Sequence, residues 1–383
     1  MPHFGWRAAD CRLEDFMAVL AQPGPAAERA VRVSQGVPVY DGDALRAALA
    51  HDREALMAEW AAVLMHGAGI VVIERLVDDL AALDAASALF RALIAEQHAA
   101  GAAAADHFAA AGANDRIWNA LQKHGLRDPE GFVRYYGNPL LAAVCEAWLG
   151  PGWQMTAQVN VVNPGGAAQS PHRDYHLGFM TAAQAEAFPA HVHALSPALT
   201  LQGAVAHVDM PAETGPTLYL PGSQRYAPGY LACGLPVFRD YFDAHHVQLP
   251  LRRGDAVFFN PALLHAAGHN RTPDVRRMAN LLQVSSAMGR AMESVDRTSL
   301  SLAVYPVLRR LLADGRLDAA RADAAVAACA EGYAFPTNLD TDPPRDGLAP
   351  PAPAALMRRA LGEGWDAARF GAALQAQAAR RRA

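Results

Sequence analysis

The sequence predicts an α+β protein: a jelly-roll barrel with a helical layer before it and a helical extension after it. Three observations carry that expectation. Residues 43–150 have helical texture interrupted by one short apolar strand. Residues 154–285 hold many short strand-like runs separated by turn signals. Helical texture returns after about residue 290. Helices followed by a run of short strands is the order expected of a barrel carrying a helical layer.

The elements follow from local pattern. Residues 43–66 read as one amphipathic helix, with Asp43 as N-cap and Gly67 as stop. Residues 69–73 (GIVVI) read as a buried strand. An Ala- and Leu-rich helix spans 77–100. The Ala/Gly-rich stretch 101–115 is weakly patterned, as a helix end or a loop. Residues 139–149 (PLLAAVCEAWL) form a short helix ended by Gly150-Pro151-Gly152. Residues 154–163 alternate polar and apolar, as a half-buried strand does. Further strands are expected at 198–210, 217–220, 247–251, 255–260 and 278–285, with turns at Pro164-Gly-Gly166, 213–216, Pro221-Gly-Ser223 and Arg253-Gly-Asp255. Beyond the barrel, helices are expected at 300–312, 317–330 and 354–383, joined by the Pro-rich stretch 340–353. The expected division is an oxygenase-like unit over 1–290 and a helical extension over 291–383.

Bulk properties narrow the function. The chain has 383 residues, 52% of them apolar, enough for a sizeable core. Its formal charge of −5 is spread out, with no basic stripe for nucleic acid and no polybasic cluster for a membrane surface. The four cysteines, Cys11, Cys145, Cys233 and Cys329, form no CxxC pair, which speaks against a disulfide framework or structural zinc. No signal-peptide pattern opens the sequence and no apolar run approaches a membrane span, so a cytoplasmic protein acting on a small molecule is expected.

The chemistry-bearing feature is His172-Arg173-Asp174 with His265 about ninety residues later. Two histidines and a carboxylate are the facial ligand set of non-haem Fe(II), leaving positions open for cofactor and oxygen. A second His-x-Asp exists at His207-Val208-Asp209. It continues the apolar run LTLQGAVAHVDM and reads as a strand end. His172-Arg-Asp174 instead follows a strand and a Pro-Gly-Gly turn in a polar segment, whose alternative reading is a solvated loop. His265 lies just after the apolar run VFF, so a strand would hold it rigidly. Its alternative reading is a satisfied histidine at a barrel rim. Arg276, eleven residues after His265, opens the strand RRMANLLQVS. A 2-oxoglutarate cofactor needs a fixed cation for its far carboxylate, and Arg276 is the candidate. Arg277, its neighbour, would face the other way and read as a surface residue.

With these residues in place the sequence resembles the phytanoyl-CoA dioxygenase family of Fe(II)- and 2-oxoglutarate-dependent oxygenases. The segments that carry the resemblance are GIVVI, LLAAVCEAWLGPGW, HRD at 172–174, ETGPTLYLPGS at 213–223, RRGDAVFFN at 252–260 and HAAGHNRTPDVRR at 265–277. The resemblance implies a double-stranded β-helix, iron bound by His172, Asp174 and His265, and Arg276 on the cofactor. Two positions depart from the family pattern. Gln224 stands where a His often follows the PGS turn, and Ala267 stands where a hydroxyl residue often helps bind the cofactor. Thr217 or Asn160 could supply that polar contact. Tyr175, His176 and Phe179 follow the metal motif and could line a substrate pocket, or could simply pack the loop.

The expected activity is a dioxygenase that uses Fe(II), 2-oxoglutarate and O₂ to hydroxylate a C–H bond, releasing succinate and CO₂. Asp174 argues against a halogenase, since halogenases of this family lack that carboxylate. The alternatives are a cupin-type metalloenzyme that does not use 2-oxoglutarate, which would need no Arg276, and a non-catalytic binding protein on the same fold.

Overall fold

Strand alternation sets the frame of the molecule, a computed structural model that describes residues 4–101, 112–345 and 347–382. The strands are β1 (Arg32–Ser34), β2 (Val37–Asp41), β3 (Ile70–Glu74), β4 (Asn114–Ile117), β5 (Gln154–Val162), β6 (Thr200–Ala206), β7 (Leu218–Tyr219), β8 (Val247–Gln248), β9 (Ala256–Phe259), β10 (His265–Ala266) and β11 (Arg277–Ser285). Eight of them form one sheet in the order β1-β2-β3-β9-β6-β11-β5-β4, and β10-β7-β8 form a second. The central ladders β11/β5, β11/β6 and β6/β9 are antiparallel. The two sheets enclose the jelly-roll interior, a double-stranded β-helix with helices packed on its outer face.

Both faces of β5 are buried, which corrects the half-buried expectation for residues 154–163. Met155, Ala157, Val159 and Val161 face the helical layer, within one large hydrophobic cluster. The polar positions Gln158 and Asn160, with Val162, face the barrel interior. Sequence alternation read as core against solvent is core against cavity.

Residues 43–66 are two helices, Gly42–His51 and Arg53–His66, not one. Asp52 breaks the run with φ −142° and ψ 35°, and the cap is Asp41, whose carboxylate accepts from the Asp43 and Ala44 amides. The helix Leu80–Ala99 is capped by Asp79, and Pro139–Leu149 by Asn138 with Pro139 in its first turn. Most of the weakly patterned 101–115 stretch lies outside the described residues; its end is β4. The helices Ala120–Arg127, Pro129–Tyr136 and Pro236–His245 add to those expected.

The C-terminal helices Arg297–Ala313, Ala319–Cys329, Pro353–Gly362 and Ala367–Arg380 pack through Leu300, Val304, Leu308, Val326, Met357 and Phe370 into the same cluster as the N-terminal layer. Full burial of side chains such as Leu300 and Phe370 contributes about 2 kcal/mol each. All four cysteines are unpaired. Among the described residues, no helix is long and apolar enough to cross a membrane.

Between sheet and helices lies a buried polar cluster. His207 sits between Ser87 Oγ at 2.7 Å and Tyr135 Oη at 3.0 Å. Asn280 donates to both Tyr135 and Tyr136 hydroxyls. His124 is packed among Phe90, Phe132, Tyr135 and Tyr136, and neither of its ring nitrogens has a hydrogen-bond partner. Burial pushes His124 down to about 4 and His207 down to about 3, with the neighbouring His124 adding to the second effect.

These depressed values stabilise the fold only while the rings stay neutral. Their contribution is complete above the ordinary histidine value near 6.5 and is lost as pH falls toward 4. Each ring should add a slope approaching ~1.4 kcal/mol per pH unit in that window. Denaturant midpoints of metal-free protein between pH 7 and 4.5 should show the loss, and His124→Leu should flatten it by about one proton. An unchanged slope in that variant would contradict the assignment.

Candidate metal and cofactor site

The metal loop is joined to β10 by backbone. The His172 amide donates to the His265 carbonyl at 2.9 Å and the His265 amide returns the bond to His172 at 3.1 Å. The Asp174 amide donates to Pro261 O at 3.0 Å. Residues ninety apart in sequence are thereby held side by side, with the two imidazole centroids 4.5 Å apart.

Side-chain geometry follows. His172 Nε2 lies 3.6 Å from Asp174 Oδ1, and His265 Nε2 lies 3.4 Å from Asp174 Oδ2. Ligating atoms of the three residues all fall within 4.8 Å of one another, a spread one metal ion can bridge. Each Nδ1 is 2.8 Å from a backbone carbonyl, Ser170 O for His172 and Leu263 O for His265. A carbonyl only accepts, so each Nδ1 carries the proton and each Nε2 presents its lone pair to the site. Burial lowers the pKa of His172, with the adjacent His265 reinforcing it, so the ring is ready to ligate at neutral pH. Burial alone would raise Asp174; the two imidazoles beside it and the hydrogen bond from the Gln202 amide outweigh it and hold the carboxyl down to about 2.

Arg173, between the two ligands, points away from the metal. Its guanidinium is buried, donates to Ser223 O and Tyr226 O at 2.5 and 3.1 Å, and lies 5.2 Å from the Tyr230 ring centroid. Gly229 makes room for it: a Cβ there would stand 1.9 Å from Arg173 Cζ.

The three ligands line a cavity of about 340 Å³ between the sheets. Asn160, Thr217 and Arg277 line it and also a narrow inner extension of about 30 Å³ that reaches Tyr219. Arg277 and Tyr219 are buried, and Arg277 Nη1 and Tyr219 Oη have no hydrogen-bond partner. Burial lowers Arg277 to about 10, which leaves it charged at neutral pH. Two orphaned donors, one cationic, at the inner end of a cavity with three metal ligands fit a chelating dicarboxylate whose far carboxylate points inward.

The facing of the two arginines is the reverse of that expected. Arg276 has a 62% exposed side chain and bonds Asn163 Oδ1 at 2.9 Å and Asp115 at 3.1 Å, outside the cavity. The reason is register: Arg277 is opposite Val162 and shares the inward face with Ala279, Leu281 and Gln283. Thr217 and Asn160 do line the cavity, as does Ala267. Tyr175 lines it, buried, and Phe179 lines its mouth, 54% exposed. His176 does not; its Nε2 faces Thr200 Oγ1 at 3.3 Å. Gln224 donates to Gly67 O, away from the metal ligands. The rival His207 faces the helical layer and Asp209 accepts from the Arg253 amide. Sequence reasoning missed Gln158, Gln202, Gln283, Arg116 and Met292 on the cavity wall. The even-numbered polar positions of β5 were the available signal for Gln158.

Comparison with known proteins gives one family match and several similar solved structures. The model of the phytanoyl-CoA dioxygenase (PhyH) family matches residues 65–278, more than half the chain. Similar solved structures include the non-haem α-ketoglutarate-dependent epimerase SnoN from nogalamycin biosynthesis, at 23% identity over 61% of this chain and 84% of that one, TM-score 0.40. The carbocyclase SnoK of the same biosynthesis is 22% identical over 61% of this chain and 85% of that one, also with TM-score 0.40. No curated protein matches. The chain belongs to the phytanoyl-CoA dioxygenase family and is a non-haem Fe(II)- and 2-oxoglutarate-dependent enzyme of the oxygenase type.

Two outcomes are expected. Alanine at His172, Asp174 or His265 should abolish stoichiometric Fe(II) binding by anaerobic titration, while Asp209→Ala should bind one equivalent as wild type does; iron loss in Asp209→Ala alone would reverse the choice of motif. Gly229→Ala should lower the melting temperature through the forced displacement of Arg173, by an amount equivalent to about 1–3 kcal/mol.

Proposed function

We propose that this member of the phytanoyl-CoA dioxygenase family hydroxylates a C–H bond of a small molecule, with iron on His172, Asp174 and His265 and the far carboxylate of 2-oxoglutarate on Arg277. The observation that carries the reading is the pairing, in one cavity, of the clustered metal ligands with the orphaned donors Arg277 Nη1 and Tyr219 Oη at its inner end.

Iron with 2-oxoglutarate and O₂ supplies an oxidant that removes hydrogen from carbon, while 2-oxoglutarate is converted to succinate and CO₂. The protein's own residues do the rest. His172 and His265 offer neutral imidazoles whose tautomers are fixed by Ser170 and Leu263 carbonyls. Gln202 Nε2 donates to Asp174 Oδ2 at 2.6 Å and orients the carboxylate. Arg277 and Tyr219 would hold the far carboxylate, with the Thr217 hydroxyl and Asn160 carboxamide available beside them. Phe259, Ala204 and Leu281 form an apolar wall that limits water near the reacting carbon. The open side, toward Tyr175, Phe179 and Met292, receives the substrate.

Arg277→Met should weaken 2-oxoglutarate binding by on the order of 100-fold, read from the visible charge-transfer band of the anaerobic Fe(II) complex, whereas Arg276→Met should stay within about twofold of wild type. Loss of the band in Arg276→Met, with Arg277→Met unaffected, would overturn the assignment of the cofactor arginine. Substrate-dependent succinate release, with one oxygen atom from O₂ in the product, tests hydroxylation itself.

A further inference from the structure

Gln202 is fixed by a neighbour that can only accept. Its Nε2 donates to Asp174 Oδ2, so its carbonyl Oε1 must point the other way. That oxygen is buried and has no hydrogen-bond partner. Gln283 stands directly opposite Gln202 in the β11/β6 ladder. It lines the same cavity, and its Oε1 is likewise buried without a partner. The two side chains are 4% and 8% exposed. Directly opposed residues of an antiparallel pair hold their Cβ atoms about 5 Å apart. Two adjacent residues on the wall of the metal cavity therefore each carry an acceptor without a partner, each costing about 1–3 kcal/mol if left unmet.

We propose that Gln202 and Gln283 form a donor-reading subsite, and that the substrate is a hydroxylated small molecule whose neighbouring hydroxyls donate to these two carbonyls next to the oxidised carbon. This rests on the Fe(II)/2-oxoglutarate reading of the cavity. Two features select hydroxyls among donors. The cavity walls carry two guanidinium groups, Arg116 and Arg277, against the single carboxylate Asp174, which disfavours an ammonium group. The facing wall is Tyr175, Phe179 and Met292, with the Tyr175 hydroxyl turned to Met292 Sδ at 3.0 Å. That wall suits the apolar face of the same molecule. Tyr175 is held there with φ 61°, a left-handed conformation uncommon for a bulky residue, which ties its ring position to the metal loop.

The test uses matched probes: 1-phenylethane-1,2-diol and phenyl β-glucoside, each against its fully O-methylated counterpart. Dissociation constants are read on the anaerobic Fe(II)–2-oxoglutarate protein from the shift of the charge-transfer band, and by calorimetry on metal-free protein. Wild type should bind each hydroxylated member at least about tenfold more tightly than its ether. Gln283→Met should remove most of that preference while keeping the wild-type affinity for iron and 2-oxoglutarate, because Gln283 does not bond a metal ligand. Gln202→Met should remove it too and weaken iron binding through Asp174. Equal binding of diol and ether, absence of binding by either diol, or full retention of the preference in both variants overturns the proposal and leaves the two acceptors to ordered water. Failure of the band to form in metal-loaded protein counts against the cofactor reading instead, and calorimetry on the metal-free protein still decides the hydroxyl preference.

Discussion

The reciprocal pair of backbone hydrogen bonds between His172 and His265 is the constraint on which the site depends. It fixes two ligands that sequence keeps ninety residues apart, and it does so with backbone groups that any substitution except proline leaves in place. Everything nearby reinforces it. Asp174 is tied to Pro261 O, and Arg173 is driven into a pocket lined by the Ser223 and Tyr226 carbonyls and the Tyr230 ring. A cation buried with carbonyls and an aromatic face as its neighbours is an expensive group to house. Its position between two ligands makes it the wedge that turns both of them toward the cavity, and Gly229 is the vacancy that admits it.

The strand period then distributes the chemistry. On β11, Met278, Asn280, Leu282 and Val284 belong to the helical side, and Arg277, Ala279, Leu281 and Gln283 to the barrel interior. The same division on β6 sends Gln202 and Ala204 to the cavity, while His207, just beyond the strand, lies among Ser87 and Tyr135 on the helical side. Two His-x-Asp motifs thus have opposite fates because one lines the barrel interior and the other turns its histidine to the helical side. The helical layer, including the C-terminal helices, gives that sheet a packed, largely apolar backing around the His207 polar cluster. A rigid backing is what a facial metal site requires, since ligand atoms must keep their spacing to within a few tenths of an ångström.

Several parts of this arrangement were legible beforehand. The His172, Asp174 and His265 cluster, the helix Pro139–Leu149 and the strand Ile70–Glu74 follow from residue type, turn signals and apolar runs. The short β1 and β2, and the break at Asp52, were not, because a single residue with φ −142° leaves the apolar pattern of residues 43–66 intact. The cavity wall was hidden for a different reason. Gln158, Gln202 and Gln283 look like solvent-facing positions of half-buried strands until a second sheet closes over them.

The sequence by itself determined the metal chemistry and the class of fold, because ligand identity and strand texture are local properties of the chain. Tertiary structure alone decided which of Arg276 and Arg277 faces the cavity, since period-two alternation makes their facing depend on which residue pairs with Val162. It also decided which polar side chains are buried acceptors awaiting a donor, because an orphaned carbonyl is defined only by everything packed around it.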